Sequence, residues 1–571
     1  MYANVVVLTY QSPDIDSYTY EIPKNVEAEI KVGQLVTVPF GNRNPTGLIL
    51  NTENILPDTK IQIKPISSII LNKPILLSHQ IKLLKWLAAY YHAPMVNCLQ
   101  TMLPPIPKEI SSFHFAKANE TFPVSSFQFD KQTLVLVPSI NQIPETLAKY
   151  PKAKNYVVYH NELKTFEKFA AWQKISSGNV DYIFGSRLSV FVPSPNLSQI
   201  IIHDEHDGAY KDERSPYFDA LTVAEKLKQL TGCKIKIVDD SPKITTYFNH
   251  PNDIQIPKIP TKVEIVSMLS EKASGNKSPI SDILANYLKL GYQKKKKILL
   301  FLNKKSDSGH VYCKNCKYSE FANTQPEICP ECKSPNIFFN SLNINSLASL
   351  VKKIIPDAEI NILSENRLQS TVYSLPTIDI ATSAVFYKLM PKKYDLVAHI
   401  RADSILNIND FTSQERLFWQ IVDLKKLARG LLLLQTYNPE HFVIKAAAQN
   451  NYREFFQKHL EERKMLSYPP FSLLVKLSLK GKKEEALDQK SQQLFEDLNK
   501  FLVSSFKFPV TVLGPYKSFF TKSNIKYNII LKVKTDDYTL ATREKTLKNL
   551  EPIFERIPKD VQITVEPSNL N

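Results

Sequence analysis

TLVLVPS, residues 133–139, decides how this chain is read: a continuous leucine and valine run closed by a proline and a serine. No polar residue alternates inside the run, so the strand it predicts is covered on both faces. The theme returns at NYVVYH (155–160), DYIFGS (181–186), QIIIHDE (199–205) and KIKIVDD (234–240), with helical stretches between several of them. Apolar strands alternating with helices predict a parallel sheet in an α/β domain. A second set, KILLFLN (297–303), EINIL (359–363), DIATS (379–383), DLVAHIRAD (395–403) and LLLLQTY (431–437), predicts another.

The flanks read differently. NVVVLTY (4–10), SYTYEIP (17–23), QLVTVPFG (34–41) and TGLILN (46–51) are short strands parted by turn residues, the pattern of a small β-rich domain. Residues 77–103 carry helical periodicity and stop at Pro104-Pro105. Residues 105–132 are polar and patternless and predict a linker. After Tyr468-Pro469-Pro470, strands at 471–481, 510–514, 527–535 and 561–567 with a helix near 484–504 predict an α+β domain. No internal repeat is evident.

At 571 residues there is room for three or four domains of ~150 residues each. The chain is 43% apolar with 30 Phe and 26 Tyr, enough for several cores. Its net charge of +16, from 72 Lys and Arg against 56 Asp and Glu, points to a polyanionic partner, nucleic acid foremost. A lysine-rich, solvated surface is the plainer alternative. The opening MYANVVVLTY has no basic region before a long apolar run, and no stretch reaches the ~18 apolar residues of a membrane span. A cytoplasmic protein without a membrane partner is therefore expected.

Of six cysteines, four form Cys313-x-x-Cys316 and Cys329-x-x-Cys332, with 12 residues between the pairs. Two such knuckles can complete a tetrahedral set for one structural zinc. Cys98 and Cys233 stand alone and are expected to be buried small apolar residues. Glycine is scarce, at 13 residues where ~7% of the chain is ordinary. No glycine lies in 105–132, and the single Gly-Lys pair, Gly481-Lys482, sits in a lysine-rich turn near the C-terminal end. Without clustered glycines no loop of backbone amides can cradle a triphosphate.

Five stretches in collinear order resemble the family of primosomal protein N′, the bacterial replication-restart helicases. They are SYTYEIPKNVEAEIKVGQLVTVPFGNRNPTGLIL (17–50), WLAAYYHAPMVNCLQTMLPP (86–105), FGSRLSVFVPSPNLSQIIIHDEHDGAYKDERSPYFDA (184–220), LLLLQTYNPEH (431–441) and EERKMLSYPPFSLLVKL (461–477). The resemblance implies an α/β multidomain protein with a β-rich N-terminal DNA-binding domain, two RecA-like helicase lobes, an inserted zinc ribbon and an α+β C-terminal domain. It divides the chain into a 3′-end-binding domain at 1–104, a linker at 105–132 where a winged helix and phosphate loop are lost, lobe 1 at 133–255, lobe 2 at 256–466 with the ribbon at 310–336, and a C-terminal DNA- and partner-binding domain at 467–571. It further implies partners: forked and single-stranded DNA, single-strand-binding protein and other primosome proteins.

The 3′-end pocket maps onto Tyr18, Thr19, Tyr20, Gly41 and Lys64, where the family usually has an acidic residue in place of Thr19. Aromatic rings can stack a terminal base, Gly41 permits close backbone approach, and Lys64 can meet a phosphate. Ordinary strand residues on one face are the competing reading for Tyr18 and Tyr20. The family's acidic second ATPase motif reads His203-Asp204-Glu205-His206, although a one-residue slip restores Asp204-Glu205 as a working pair. A neutral imidazole is a poor ligand for Mg²⁺ beside a carboxylate. The fifth motif reads ATSAVFYKLMPKKYD (381–395), without glycine, and the sixth reads VDLKKLARG (422–430), with Lys426 for one arginine and Arg429 for the other. Lysine lacks the bidentate fork that steadies a transferring phosphoryl group. ATP and Mg²⁺ are therefore not expected as cofactors, and no catalytic residue is assigned. The family usually carries eight cysteines and two zincs at the ribbon, of which four cysteines and one zinc remain.

Lysines 294–297, 304–305 and 392–393, and Lys517, Lys522 and Lys526 beside Tyr516, Phe519 and Phe520, are candidate phosphate contacts. Three functions stay open: a non-hydrolysing fork-recognition protein, an active ATP-dependent 3′-to-5′ helicase of primosome assembly, and a zinc-containing structural or RNA-binding module.

Overall fold

The computed structural model describes all residues except 10–14, 55–62, 108–130, 304–308, 317, 323–325, 341, 364–376, 384, 387–393, 409, 506–508, 519–524 and 571. Most of the expected linker, much of 381–395, and Lys304, Lys305, Lys392, Lys393, Phe519, Phe520 and Lys522 lie outside the described residues. Met1–Ile256 and Glu462–Asn571 form one unit, and Pro257–Glu461 forms a second.

The N-terminal strands are β1 (Tyr2–Val7), β2 (Tyr18–Glu21), β3 (Leu35–Thr37), β4 (Thr46–Glu53) and β5 (Ser68–Ile69), in the order β2-β1-β4-β3-β5. The segment leading into β5 also bridges Glu21 through Pro65, so both edges of the sheet meet one stretch of chain. The sheet thereby closes on itself, which removes its free edges. Gly33 turns the chain with a φ of +87°, and a Cβ there would stand 2.3 Å from the Leu76 carbonyl oxygen. Glycine alone tolerates both constraints.

The first α/β sheet holds β6 (Gln132–Leu136), β7 (Tyr156–Tyr159), β8 (Tyr182–Gly185), β9 (Leu197–His203), β10 (Lys234–Val238) and β11 (Ile254–Gln255) in the parallel order β11-β10-β9-β6-β8-β7. Every residue of β6 is buried, as its unbroken apolar run requires. The second unit's sheet holds β12 (Lys262–Ser267), β13 (Ile298–Phe301), β17 (Ile360–Leu363), β18 (Ile378–Ala381), β19 (Tyr394–His399) and β20 (Ala428–Thr436), in the parallel order β12-β20-β19-β13-β18-β17. Between β13 and β17 sits a three-stranded antiparallel sheet of β14 (Gly309–Cys313), β15 (Ser319–Ala322) and β16 (Ile337–Asn340). The C-terminal sheet is antiparallel, β22-β23-β21-β24, from β21 (Ser472–Gly481), β22 (Val510–Lys517), β23 (Ile525–Lys534) and β24 (Gln562–Val565).

The two parallel sheets share one strand order. Counted from β6 in one lobe and from β13 in the other, both sheets run fifth-fourth-first-third-second. The sixth strand lies beside the fifth in both, but follows it in the chain as β11 and precedes the set as β12. In such sheets the order reverses at the first strand, and the crevice for a ligand opens at the carboxyl ends beside it.

Within the first unit, one apolar core joins the N-terminal helices at 78–102, lobe 1 and the C-terminal sheet. The lobe-1 helix Ala220–Thr231 is capped by the Asp219 carboxylate, which accepts from Leu221 and Thr222 N–H, and ends on left-handed Gly232. Buried polar groups stitch the three modules: Gln80 donates to the Phe191 carbonyl at 2.6 Å, Trp172 to the Ile75 carbonyl at 3.2 Å, and Asn249 to the Tyr538 carbonyl at 2.7 Å.

Candidate functional site

Pairing of β1 with β2 places Val5 opposite Tyr18, Asn4 opposite Thr19 and Ala3 opposite Tyr20. Alternation then sends Tyr18 and Tyr20 to one face and Thr19 to the other. That shared face is the barrel core. Tyr20 is buried there and its hydroxyl donates to the Pro39 carbonyl at 3.3 Å. Burial, and Tyr18 beside it, push its pKa up to about 12. The Tyr20 ring is therefore packed inside the barrel. Tyr18 is half-buried and meets Phe40 edge-on, with ring centroids 5.1 Å apart. Next in the chain, exposed Gly41 has a φ of +59° and open space where a Cβ would go. Lys64 is exposed, and its carbonyl accepts from Glu21 N–H at the end of β2. On the opposite face Thr19 donates to Asn4 Oδ1 at 2.8 Å, and Asn4 donates in turn to Glu53. Tyr18 and Gly41 thus lie to either side of Phe40, Tyr20 is enclosed, and Lys64 stands beside Glu21 at the far end of β2.

The carboxyl end of β9 carries His203–His206, beside the first strand of the lobe. His203 is buried, which pulls its pKa down to about 4. Its Nε2 lies 2.8 Å from the Tyr150 hydroxyl, whose own pKa burial raises to about 12. Asp204 adopts a φ of +48°, a left-handed conformation that Asp tolerates, and accepts from Gln142 Nε2 at 3.4 Å. Glu205 is buried, which raises its pKa; the Lys243 ammonium 2.9 Å away opposes that shift. Lys243 also reaches Asp219 at 3.6 Å. His206 Nδ1 and N–H both reach the Asp239 carboxylate, at 2.8 and 2.9 Å. Each of the four motif positions has an internal partner.

Lys243 and Asp239 escaped the sequence reading. The signal was present: Asp239-Asp240-Ser241-Pro242-Lys243 directly follows a parallel strand, where ligand-facing residues collect. Lys426 forms a surface pair with Asp423 at 3.2 Å, and exposed Arg429 opens β20 at its amino end. The buried lysine of that stretch is its neighbour Lys425, which donates to the Ala447 and Ala448 carbonyls and to Asn450, capping the helix Phe442–Ala448. Among the C-terminal lysines, Lys517 pairs with Glu484 at 2.7 Å. Lys294–Lys297 follow the helix Asp282–Gln293 and enter β13, and Lys296 pairs with Asp395 at 3.5 Å.

The four ribbon thiols converge, with all sulfurs within 4.8 Å of one another. Cys313 and Cys332 are 3.6 Å apart, as are Cys316 and Cys329. A zinc about 2.3 Å from four tetrahedral thiolates needs sulfurs about 3.8 Å apart, so the donor set fits. Backbone N–H groups of Cys316 and then Asn315 point at Cys313 and lower its pKa to about 7, toward the thiolate a metal requires. Cys98 and Cys233 are buried, as expected. Among the described residues no helix is long and apolar enough to cross a membrane.

Residues 6–104 match the family model of the PriA 3′ DNA-binding domain, and residues 464–568 that of the primosomal protein N C-terminal domain. Proteins named replication restart protein PriA are similar along most of the chain. That of Synechocystis sp. is 26% identical over 77% of this chain and 59% of its own length, and that of Bacillus subtilis 26% over 76% and 60%. The Rickettsia felis protein is 22% identical over 90% of this chain and 92% of its own length. The chain therefore spans about three fifths of the length of the first two relatives. Both ends are thus matched by models of one family's domains, and the chain is similar to replication restart proteins PriA across the span between them.

Proposed function

We propose that this chain recognises forked DNA with a free 3′ end during replication restart and does so without hydrolysing ATP. The 3′-end-binding model over residues 6–104, the half-open Tyr18 beside Phe40 and the exposed Gly41 and Lys64 support the first part. A terminal base stacks on the open side of Tyr18, the backbone passes over Gly41, and Lys64 meets a phosphate. Thr19, tied to Asn4, leaves the 3′-hydroxyl to be read by main-chain groups.

One observation carries the second part. At the switch point of lobe 1 the carboxylate and the lysine that could serve a nucleotide serve each other, as the buried Glu205–Lys243 pair. The sequence supplies no glycine-rich loop to deliver phosphates there. The ribbon cysteines Cys313, Cys316, Cys329 and Cys332 hold one zinc with every coordination position filled by thiolate, a structural role. Single-strand-binding protein and other primosome proteins are the proposed protein partners, and metal analysis is expected to return one zinc per chain.

The test is binding to a labelled fork bearing either a 3′-hydroxyl or a 3′-phosphate, with and without ATP. A preference for the hydroxyl that ATP leaves unchanged is expected. Tyr18→Ala should remove that preference. Equal binding to both ends would refute end recognition, and ATP-dependent strand separation would establish the helicase instead.

A further inference from the structure

The C-terminal sheet has two unlike faces. Register pairs Leu473 with Val533, Val475 with Leu531, Leu477 with Ile529 and Leu479 with Tyr527, and this face joins the apolar core. The alternate pairs are Ser472 with Lys534, Leu474 with Lys532, Lys476 with Ile530, Ser478 with Asn528 and Lys480 with Lys526. Five lysines therefore stand on one face of two neighbouring strands. Lys480 and Lys526 are directly opposed, an arrangement that destabilises a sheet unless an anion offsets it. Among the described residues no carboxylate pairs with Lys480, Lys526, Lys532 or Lys534.

The middle of this face is covered. After β24, Glu566 takes a φ of +50° and turns the chain back across the sheet. Lys476, buried, donates to the Asn569 carbonyl at 2.9 Å, and Tyr516 and Asn528 donate to the Leu570 carbonyl. Lys476 also reaches Asn569 Oδ1 at 3.5 Å, so the segment offers this face acceptor oxygens, as a nucleic-acid backbone would. The root of the segment is held elsewhere: the Glu566 carboxylate accepts from Tyr90 at 2.9 Å, Tyr538 at 3.2 Å and Arg543 at 2.7 Å. Arg543, fully enclosed, also grips Glu225 of lobe 1, which His250 engages in turn.

We propose that residues 567–570 are a strap over a surface for the sugar–phosphate backbone of a single strand, rooted at Glu566 and displaced when the strand binds. Resting on the nucleic-acid reading above and on the DNA-binding role expected of this domain, this adds the element that covers the surface and the lysines it exposes on leaving. Alternate residues of a strand lie about 6.6 Å apart, close to the spacing of successive phosphates in an extended single strand. Freed, Lys476 joins the flanking lysines and completes a continuous basic line.

The probe is a fluorescein-labelled oligothymidylate with a 3′-phosphate, so that end recognition at the barrel does not contribute. A chain lacking residues 567–571 should bind it about tenfold more tightly than the intact chain. Its salt dependence should steepen by about 0.7 in log–log slope for each phosphate gained. Lys480→Ala with Lys526→Ala in the shortened chain should reverse the gain. On the intact chain, hydrogen exchange at 567–570 should accelerate when the oligonucleotide is added, a readout that does not depend on any variant folding. Unchanged or slower exchange, or a shortened chain that unfolds normally yet binds no more tightly, would overturn the strap. A fork preference for 3′-hydroxyl that survives those results would leave the end-recognition reading standing.

Discussion

The two α/β sheets are wound alike and finished differently. In lobe 1 the fourth and fifth strands end in charges that interlock: Glu205 with Lys243 and His206 with Asp239. In lobe 2 the fourth strand is followed by Arg401 and Asp403, whose carboxylate accepts from Tyr437 N–H at 3.1 Å, and the fifth strand ends in neutral groups. Gln435 closes β20 by donating to the Pro279 and Ile400 carbonyls and accepting from Ser281 N–H, all within 3.0 Å. Each fourth strand ends in a histidine that burial lowers to about 4, and the two are held by different partners. His203 Nε2 lies 2.8 Å from the Tyr150 hydroxyl, while His399 Nε2 donates to Gln420 and its Nδ1 accepts from Arg401 N–H. One topology thus supports two solutions to the same problem, satisfying buried polar groups at the carboxyl ends. The charged solution keeps groups suited to a nucleotide but commits them internally.

That contrast breaks first at Lys243. Lys243→Ala leaves Glu205 buried without its cation and should cost about 3–5 kcal/mol, read by chemical denaturation. The loss should shrink at low pH, where Glu205 protonates. Acid should strain both sheets through their histidines. Each is neutral in the fold down to about pH 4 but protonates near 6.5 when unfolded. Stability is therefore complete above pH 6.5 and is lost as pH falls toward 4, by about 3 kcal/mol per histidine. His203→Gln and His399→Gln should each flatten that slope. Gln435→Leu in lobe 2 removes partners from three main-chain groups and should cost about 1–3 kcal/mol with little pH dependence. Smallest of all, Lys426→Ala and Arg429→Ala should change stability by less than about 0.5 kcal/mol, since both are solvated.

Periodicity made both sheets legible, because β6 and β13 are apolar throughout and strands buried on both faces must be. The cysteine spacing likewise foretold the convergence of four thiols. Strand order was hidden: it depends on which distant strands pair, and the repeated fifth-fourth-first-third-second order leaves no trace in residue type. Alternation put Tyr18 and Tyr20 on one face but could not say that the face was the core. The Arg543–Glu225 grip joins residues 318 positions apart and had no local signal. Lys425 and Lys426 are adjacent and alike in sequence, and only the helix packed beside one of them makes it a buried cap.

We propose that side chains of lobe 1 fill their own switch point, which then turns over no nucleotide. The most direct test is ATP turnover by the zinc-loaded chain in the presence of forked DNA, with Lys243→Ala alongside. The account predicts phosphate release no faster than in a protein-free control for both. Robust DNA-stimulated hydrolysis by the unaltered chain would contradict it.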